Sequence, residues 1–183
     1  MKRRSSFVAK IPNVFASVAC LAAIGAVSIV WAGGDEATAD YAKISPMDLV
    51  TNTPKGKLAN PYKDTQADIV TQGGKLLLSY SCSGCHGGGG GGGLCPPLTN
   101  DTWVYGGDDD TLFRLVVLGS DELQKQGYTR IGRENVVGPM PSFGSIITNA
   151  DDLWKILAFV RSRYQGDPAY KFGAPPQTDS SDP

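Results

Sequence analysis

The run Cys82-Ser83-Gly84-Cys85-His86 constrains this chain more than any other feature of its sequence. It contains two of the four cysteines and the only histidine among 183 residues. A single histidine excludes every site that needs two imidazoles, including histidine-rich zinc sites and bis-histidine haem. Any chemistry that this chain performs through an imidazole is therefore performed at His86.

The spacing within this run is the attachment pattern of c-type haem. Two thiols about one helical turn apart can each bond to one vinyl group of a porphyrin. The histidine beside the second thiol is then carried under the ring, where its imidazole can ligate the iron. We therefore predict one haem c, attached covalently through Cys82 and Cys85, with His86 as an axial ligand of the iron.

Two other interpretations of the run stay open. A redox dithiol of the thioredoxin type is disfavoured because no βαβ pattern surrounds it. A zinc-binding interaction module would use Cys82, Cys85, His86 and Cys95, but the adjacent Cys85 and His86 would then both have to reach one tetrahedral ion. Outside such a site, Cys95 is predicted to be a buried small residue, although an exposed thiol there would be able to link two molecules.

A second axial ligand of the iron would have to be a methionine, and outside the export signal described below the chain has Met47 and Met140. Met140 lies between Pro139 and Pro141, which fix the backbone and remove N–H donors, so this segment is predicted to be a stiff loop. We predict Met140 as the second axial ligand. With Met140 off the iron, the open position would instead suit an enzyme-like haem protein that acts on peroxide or a small gas.

The amino terminus, residues 1–32, is predicted to be a signal peptide. Lys2, Arg3, Arg4 and Lys10 form a basic start, a largely apolar run covers 14–31, and Ala32 ends a small-residue cleavage pattern. These features predict export to the periplasm, with no stable membrane insertion once the signal is removed. The alternative is an uncleaved anchor, because about 18 apolar residues can just span a bilayer.

The charge balance bears on the choice of partner. The whole chain has a net charge of −1, and losing the four basic residues of the signal lowers it to −5. A protein without a basic excess is not expected to bind nucleic acid. An acidic exported protein is suited to a partner with a basic surface.

The remaining sequence divides into three segments. Residues 33–64 carry three prolines and turn signals, which predict an extended arm or linker. Residues 65–167 have helical periodicity and form the predicted domain, and residues 168–183 are predicted to be a loosely ordered tail. Within the domain, the run of glycines at 87–93 is predicted to be a flexible surface excursion.

Three helices are predicted inside the domain. The first begins near Thr65 and leads into the cysteine run. The second covers 111–118, with Asp108 as its N-cap and Gly119 as its stop. The third is capped by Asn149, and its apolar face is formed by Leu153, Ile156, Leu157, Val160 and Tyr164.

Together these features resemble class I cytochromes c: a helix leading into the cysteine run, a turn at Pro96-Pro97-Leu98, a loop at Gly138-Pro139-Met140 and a closing amphipathic helix. The resemblance implies an all-α fold in which a few helices wrap around one covalently bound haem, here with an irregular N-terminal arm. It also implies that the first and last helices cross near Gly74 and Phe159. A further implication is that the Pro96 carbonyl accepts the N–H of the haem histidine.

A narrower resemblance involves the stretches Asn60-Pro61-Tyr62, 79–87, 99–103 and 137–141, which are similar to those of cytochrome c-L. This family accepts electrons from quinoprotein methanol dehydrogenases, and the chain most resembles members paired with lanthanide-dependent enzymes. The resemblance implies an electron-transfer protein and not an enzyme. Its donor would be a PQQ-dependent methanol or alcohol dehydrogenase, and its acceptor another cytochrome c or an oxidase. Cys95 departs from the general pattern, which has glycine before the proline.

Overall fold

The structure, a computed structural model, describes residues 40–132 and 137–173. The signal-peptide prediction and the last ten residues of the tail lie outside these described residues. The helices are α1 (Pro46–Asn52), α2 (Ala67–Ser79), α3 (Ser83–His86), α4 (Asp109–Leu118), α5 (Ser120–Lys125) and α6 (Ala150–Ser162), followed by a 3-10 turn at Pro168–Tyr170. No strand lies in the described part of the chain, which agrees with the predicted all-α class. None of these helices is long and apolar enough to cross a membrane.

Helices α2 and α6 cross at two adjacent glycines. A Cβ atom added at Gly73 would lie 2.0 Å from the carbonyl oxygen of Lys155, so the two backbones are in contact there. At Gly74 the neighbour is the Phe159 ring, 3.1 Å from an added Cβ. The predicted contact between Gly74 and Phe159 is confirmed, but the closest approach of the two helices is at Gly73.

The core lies between α2, α4 and α6. Trp154 and Phe113 are fully buried, and their ring centroids are 4.2 Å apart in a tilted arrangement. Buried aliphatic side chains surround them, namely Leu77, Val117, Ile147, Leu153, Ile156 and Leu157. Each such side chain contributes roughly 1.5–3 kcal/mol by leaving water, so this cluster fixes how the three helices pack.

The predicted N-caps of two helices are confirmed. The Asp108 carboxylate accepts the N–H of Thr111 at 2.8 Å, and the Asn149 side-chain oxygen accepts the N–H of Asp152 at 2.8 Å. Each bond satisfies one of the backbone donors that a helix leaves free at its start.

Two predicted features of these helices need correction. Helix α4 begins at Asp109, because the carbonyl of Asp108 already accepts the first helical hydrogen bond, from Leu112 at 3.1 Å. Helix α6 ends at Ser162, so Tyr164 lies beyond it and is not part of its apolar face. The Tyr164 hydroxyl instead donates to the carbonyl of Asp101 at 2.7 Å.

Part of the segment predicted to be an extended arm or linker is helical. Helix α1 is held against α4 by Arg114, which is only 5% exposed. The Arg114 guanidinium donates to the carbonyls of Val50 at 3.1 Å and Thr53 at 2.6 Å, and its Nε donates to Asp110 at 2.8 Å. This helix is short, and its partner lies more than 60 residues away, so local sequence carries little signal for it.

The described part of the tail is also attached to the domain. Arg161 is 1% exposed and donates to the carbonyl of Lys171 at 2.9 Å, while its other terminal nitrogen pairs with Asp109. Lys171 forms an ion pair with Asp64. The residues after α6 therefore pack back against the start of α4 and the end of the arm.

Asp151 connects the arm to the last helix. Its Oδ2 lies 2.7 Å from the Lys155 ammonium, and its Oδ1 accepts a hydrogen bond from the Tyr62 hydroxyl. Burial alone would raise the pKa of Asp151, but these two hydrogen bonds and the charge of Lys155 hold the pKa below its usual value of 3.8. The carboxylate is thus more stable when ionised in the folded protein than in the unfolded chain.

We expect Asp151→Asn to lower the free energy of unfolding at neutral pH by about 1 kcal/mol, a modest value because the group is partly exposed. Since the native pKa is depressed, this contribution is fully present above the unfolded pKa and is lost as pH falls through the native pKa. Urea unfolding curves of the variant and the unmodified protein should therefore converge in acid. Glu122→Gln, which breaks an exposed pair with Lys125, is the control and should change little at any pH. A difference in the free energy of unfolding between Asp151→Asn and the unmodified protein that stayed constant down to acidic pH would contradict this account.

Candidate functional site

The predicted attachment run follows α2 directly through a tight turn. Ser81 has φ of 62°, an uncommon backbone conformation for a residue other than glycine. The N–H of Cys82 donates to the Leu77 carbonyl at 3.1 Å, and the N–H of His86 donates to the Cys82 carbonyl at 3.0 Å. Most of the run therefore forms the short helix α3, with Cys82 at its N-cap position, so that the two thiols and the imidazole lie within about one turn of chain.

The orientation of His86 is fixed by a backbone carbonyl. Its Nδ1 lies 2.8 Å from the carbonyl oxygen of Pro96, as the resemblance implied. A carbonyl oxygen only accepts hydrogen bonds, so Nδ1 carries a proton, and in the neutral imidazole Nε2 keeps its lone pair. In this arrangement the Nε2 lone pair of the imidazole can bind a metal, while the hydrogen bond at Nδ1 holds the ring in place.

A cavity of about 390 Å³ opens beside His86. Its size falls within the range of cofactor pockets, about 300–1,000 Å³. Most of its wall is apolar and is formed by side chains of the three core helices, among them Leu77, Leu112, Leu115, Ile156, Leu157 and Val160. Such a wall suits a flat apolar ring system and would exclude water from a bound metal.

Three of the four predicted site residues line this cavity. Cys82 and His86 lie on one part of the wall, and Met140 is contributed by the proline-flanked loop. Cys85 is half-buried in α3 but is not among the lining residues. Met47, the other methionine considered, lies on α1 at 38% exposure and does not line the cavity.

The surroundings of two of the thiols, Cys82 and Cys95, raise their pKa. Burial is the main cause that raises the pKa of Cys82. Burial, together with a hydrogen bond to Cys85, raises the pKa of Cys95 to about 11. Cys95 is half-buried at the edge of the cavity, and its N–H donates to the Cys85 carbonyl at 3.2 Å.

The zinc alternative is not supported. No group of three or more His, Cys, Asp or Glu side chains in residues 40–132 and 137–173 is arranged to hold a metal ion. Cys82, Cys85, His86 and Cys95 therefore do not form the tetrahedral set that was considered.

The run of glycines after His86, predicted to be a flexible surface excursion, is mostly exposed and forms hydrogen bonds within the loop and to the domain. The N–H of Gly92 donates to the His86 carbonyl at 2.9 Å, and Arg163 Nε donates to the Gly89 carbonyl at 3.1 Å. Gly87 has φ of 74°, and a Cβ there would lie 2.8 Å from the Gly92 oxygen. Glycine is required where this loop closes on itself, next to the imidazole.

Sequence reasoning missed further polar side chains of the cavity, which are Trp103, Tyr105, Ser120, Asp121, Gln124 and Arg130. Trp103 Nε1 donates to the Leu98 carbonyl at 3.0 Å, and its ring lies 5.0 Å from that of Tyr164, so the indole is fixed in the wall. Ser120, Asp121 and Gln124 share α5, but the others lie before α4 or after α5, so no single spacing pattern connects the set. In the sequence, only its similarity to a known family distinguishes the stretch that contains Trp103.

Comparison with known proteins agrees with this site. Residues 68–160, just over half of the chain, match the family model described as "Cytochrome C oxidase, cbb3-type, subunit III". The chain therefore belongs to this family of c-type cytochromes. A cytochrome c domain binds haem c, which agrees with a cavity beside a c-type attachment run and an imidazole with a free Nε2.

A solved structure is also similar to the chain, that of cytochrome CL from the marine methylotrophic bacterium Methylophaga aminisulfidivorans MPT. The two sequences are 22% identical, the similarity covers 67% of this chain and 77% of the other, and the TM-score is 0.39. No curated protein matches the chain. The helices, the family match and the position of the cavity together define a class I cytochrome c fold and an electron-transfer protein.

Proposed function

We propose that this chain is a periplasmic monohaem cytochrome that carries single electrons from a PQQ-dependent methanol or alcohol dehydrogenase to another cytochrome c or an oxidase. One haem would be bonded to Cys82 and Cys85, with His86 and Met140 as the axial ligands of its iron. Residues 1–32 would direct export, and residues 65–167 would form the haem domain.

The observation that carries the proposal is the shared cavity of Cys82, His86 and Met140. These residues come from two distant parts of the sequence, and a six-coordinate haem c uses thioether bonds at its edge and a ligand on each face. The hydrogen bond to the Pro96 carbonyl favours the tautomer in which His86 Nε2 can bind iron. The apolar wall supplies a dry surrounding for a porphyrin.

A bound haem supplies one-electron redox chemistry at its iron. The side chains supply the rest: His86 and Met140 would take both axial positions and leave none for oxygen or another substrate. A thioether ligand raises the reduction potential relative to a second imidazole. This combination suits a carrier of electrons better than a catalyst of bond-making reactions.

Attachment can be tested on protein produced in cells that mature c-type cytochromes. We expect the purified chain to gain the mass of one haem, to contain iron and not zinc, and to give a pyridine haemochrome spectrum of a porphyrin with two thioether bonds. Cys82→Ser and Cys85→Ser should each shift that spectrum towards one remaining thioether and lower the yield of holoprotein. Cys95→Ser, the matched control, should leave the spectrum and the yield of holoprotein unchanged. Colourless protein, or haem that acidified acetone extracts, would refute the proposal.

The donor assignment rests on the similarity to cytochrome c-L and on the negative charge of the exported chain. We expect haem reduction by a PQQ-dependent alcohol dehydrogenase to slow by about tenfold or more between low and moderate salt, because steering of an acidic protein to a basic patch is screened. Stopped-flow absorbance of the haem measures this rate. Reduction by neutral hydroquinone is the control and should be nearly independent of salt. A reduction rate that does not change with salt would contradict electrostatic steering. If no PQQ-dependent alcohol dehydrogenase reduced the haem, the proposed donor would be wrong.

A further inference from the structure

Both backbone polar groups of Met140 are bonded to a single residue. In the tripeptide Pro139-Met140-Pro141 only Met140 has an N–H, because proline has none. That N–H donates to the Ser120 hydroxyl oxygen at 3.0 Å. In return, the N–H of Ser120 donates to the Met140 carbonyl oxygen at 2.9 Å. The two bonds form a two-point clamp on the residue that carries the thioether.

Ser120 is well placed to act as a fixed support. It is 6% exposed, it lines the cavity, and it is the first residue of α5, separated from the end of α4 by one residue. The preceding residue, Gly119, has φ of 77°, and a Cβ there would lie 2.7 Å from the Met140 carbonyl oxygen. The Met140 loop therefore lies directly on the junction between α4 and α5, at a point where only glycine leaves enough room.

The loop continues along the end of α4 after the clamp. The Ser142 hydroxyl donates to the Val117 carbonyl at 2.6 Å, and the N–H of Phe143 donates to the Val116 carbonyl at 2.9 Å. These bonds hold the chain after Met140 but do not involve Met140 itself. They provide a comparison in which the loop is weakened without removing the clamp.

We propose that Ser120 is a positioning residue that holds Met140 over the cavity and thereby controls how readily the thioether leaves the iron. The inference depends on the proposed function, in which Met140 is an axial ligand. Within the described part of the chain, the hydrogen-bond partner of the Met140 N–H is the Ser120 hydroxyl. Without it, the loop keeps its prolines but loses the bond that fixes the methionine backbone, so an external ligand competes with the thioether more successfully.

The test uses the full-length holoprotein and exogenous imidazole as the competing ligand. Loss of the near-infrared methionine-to-iron band on titration with imidazole gives the binding constant. We expect Ser120→Ala to bind imidazole about tenfold more tightly than the unmodified protein, the effect of one lost hydrogen bond at the ligand. Ser142→Ala, the matched control, should differ from the unmodified protein by less than about twofold, because its bond does not fix the methionine. Equal effects of the two variants, or no effect of Ser120→Ala, would overturn the proposal.

A second measurement separates this inference from the proposed function. Hydrogen exchange of the Met140 amide, followed by NMR in the reduced diamagnetic protein, reports the clamp whether or not the thioether binds iron. We expect a protected amide in the unmodified protein and exchange at least about tenfold faster in Ser120→Ala. An unprotected Met140 amide in the unmodified protein would overturn the clamp without any variant. A protected amide in a protein that lacks the methionine band would support the clamp and refute the axial ligand.

Discussion

Replacing Met140 by alanine is expected to abolish the methionine-to-iron absorption band and to lower the reduction potential by on the order of 0.2 V, a quarter of the roughly 0.8 V over which axial ligands set haem potentials. The potential falls because a thioether stabilises the reduced iron relative to the oxidised iron, and water or hydroxide in its place does not. Absorbance of the oxidised protein measures the first effect, and a spectroelectrochemical titration measures the second. Binding of cyanide or a small gas should also become faster, because alanine leaves an axial position open.

Met47→Ala is the matched control for this experiment. Met47 lies on α1 and does not line the cavity, so the same substitution there should leave the band and the potential unchanged. If Met47→Ala removed the band, the ligand would be the other methionine. If the unmodified protein had no band and already bound cyanide rapidly, the iron would be open, and the haem protein acting on peroxide or a small gas would become the better function.

The candidate site could be predicted from sequence only where its chemistry is local or its residue types are scarce. The attachment run is five consecutive residues, and with a single histidine the choice of His86 was forced. Met140 was recognisable because prolines flank it and few methionines compete with it. Ser120 was not, because a serine hydroxyl has no local signature and its partner lies 20 residues away. The ligation of iron by Met140 stays a prediction that the experiment above tests.

In the fold, too, the features set by local sequence could be predicted, and those set by distant contacts could not. The caps at Asp108 and Asn149 were predictable because each accepts a hydrogen bond from a residue only three positions ahead. Helix α1 was not, because the Arg114 contacts that hold it come from more than 60 residues along the chain. The crossing of α2 and α6 was predicted one residue away from its closest point. A pair of adjacent glycines marks a close approach, but the rotation of the two helices decides which glycine meets backbone and which meets a side chain.

The rotation of α2 against α6 makes Gly73 the position where a larger residue should be most destabilising. We expect Gly73→Ala to lower the free energy of unfolding by roughly 2 kcal/mol. Its methyl group would lie 2.0 Å from the Lys155 carbonyl oxygen, so α2 and α6 must separate, and the overpacking cost exceeds the gain of about 1 kcal/mol in helix propensity. Denaturant unfolding of the holoprotein, followed by far-UV circular dichroism, measures this loss.

Gly74→Ala is the matched control for the crossing. It carries the same substitution one residue along the same helix and gains the same helix propensity, but its methyl group meets the Phe159 ring at 3.1 Å, and a ring can tilt where a backbone carbonyl cannot. Its stability should stay within about 1 kcal/mol of the unmodified protein. Because α2 leads into the attachment run, Gly73→Ala should also disturb the methionine band while Gly74→Ala preserves it. Equal stability of the two variants would mean that the helices do not touch through backbone at Gly73, and the register of the helix that positions Cys82 and His86 would then have to be reassigned.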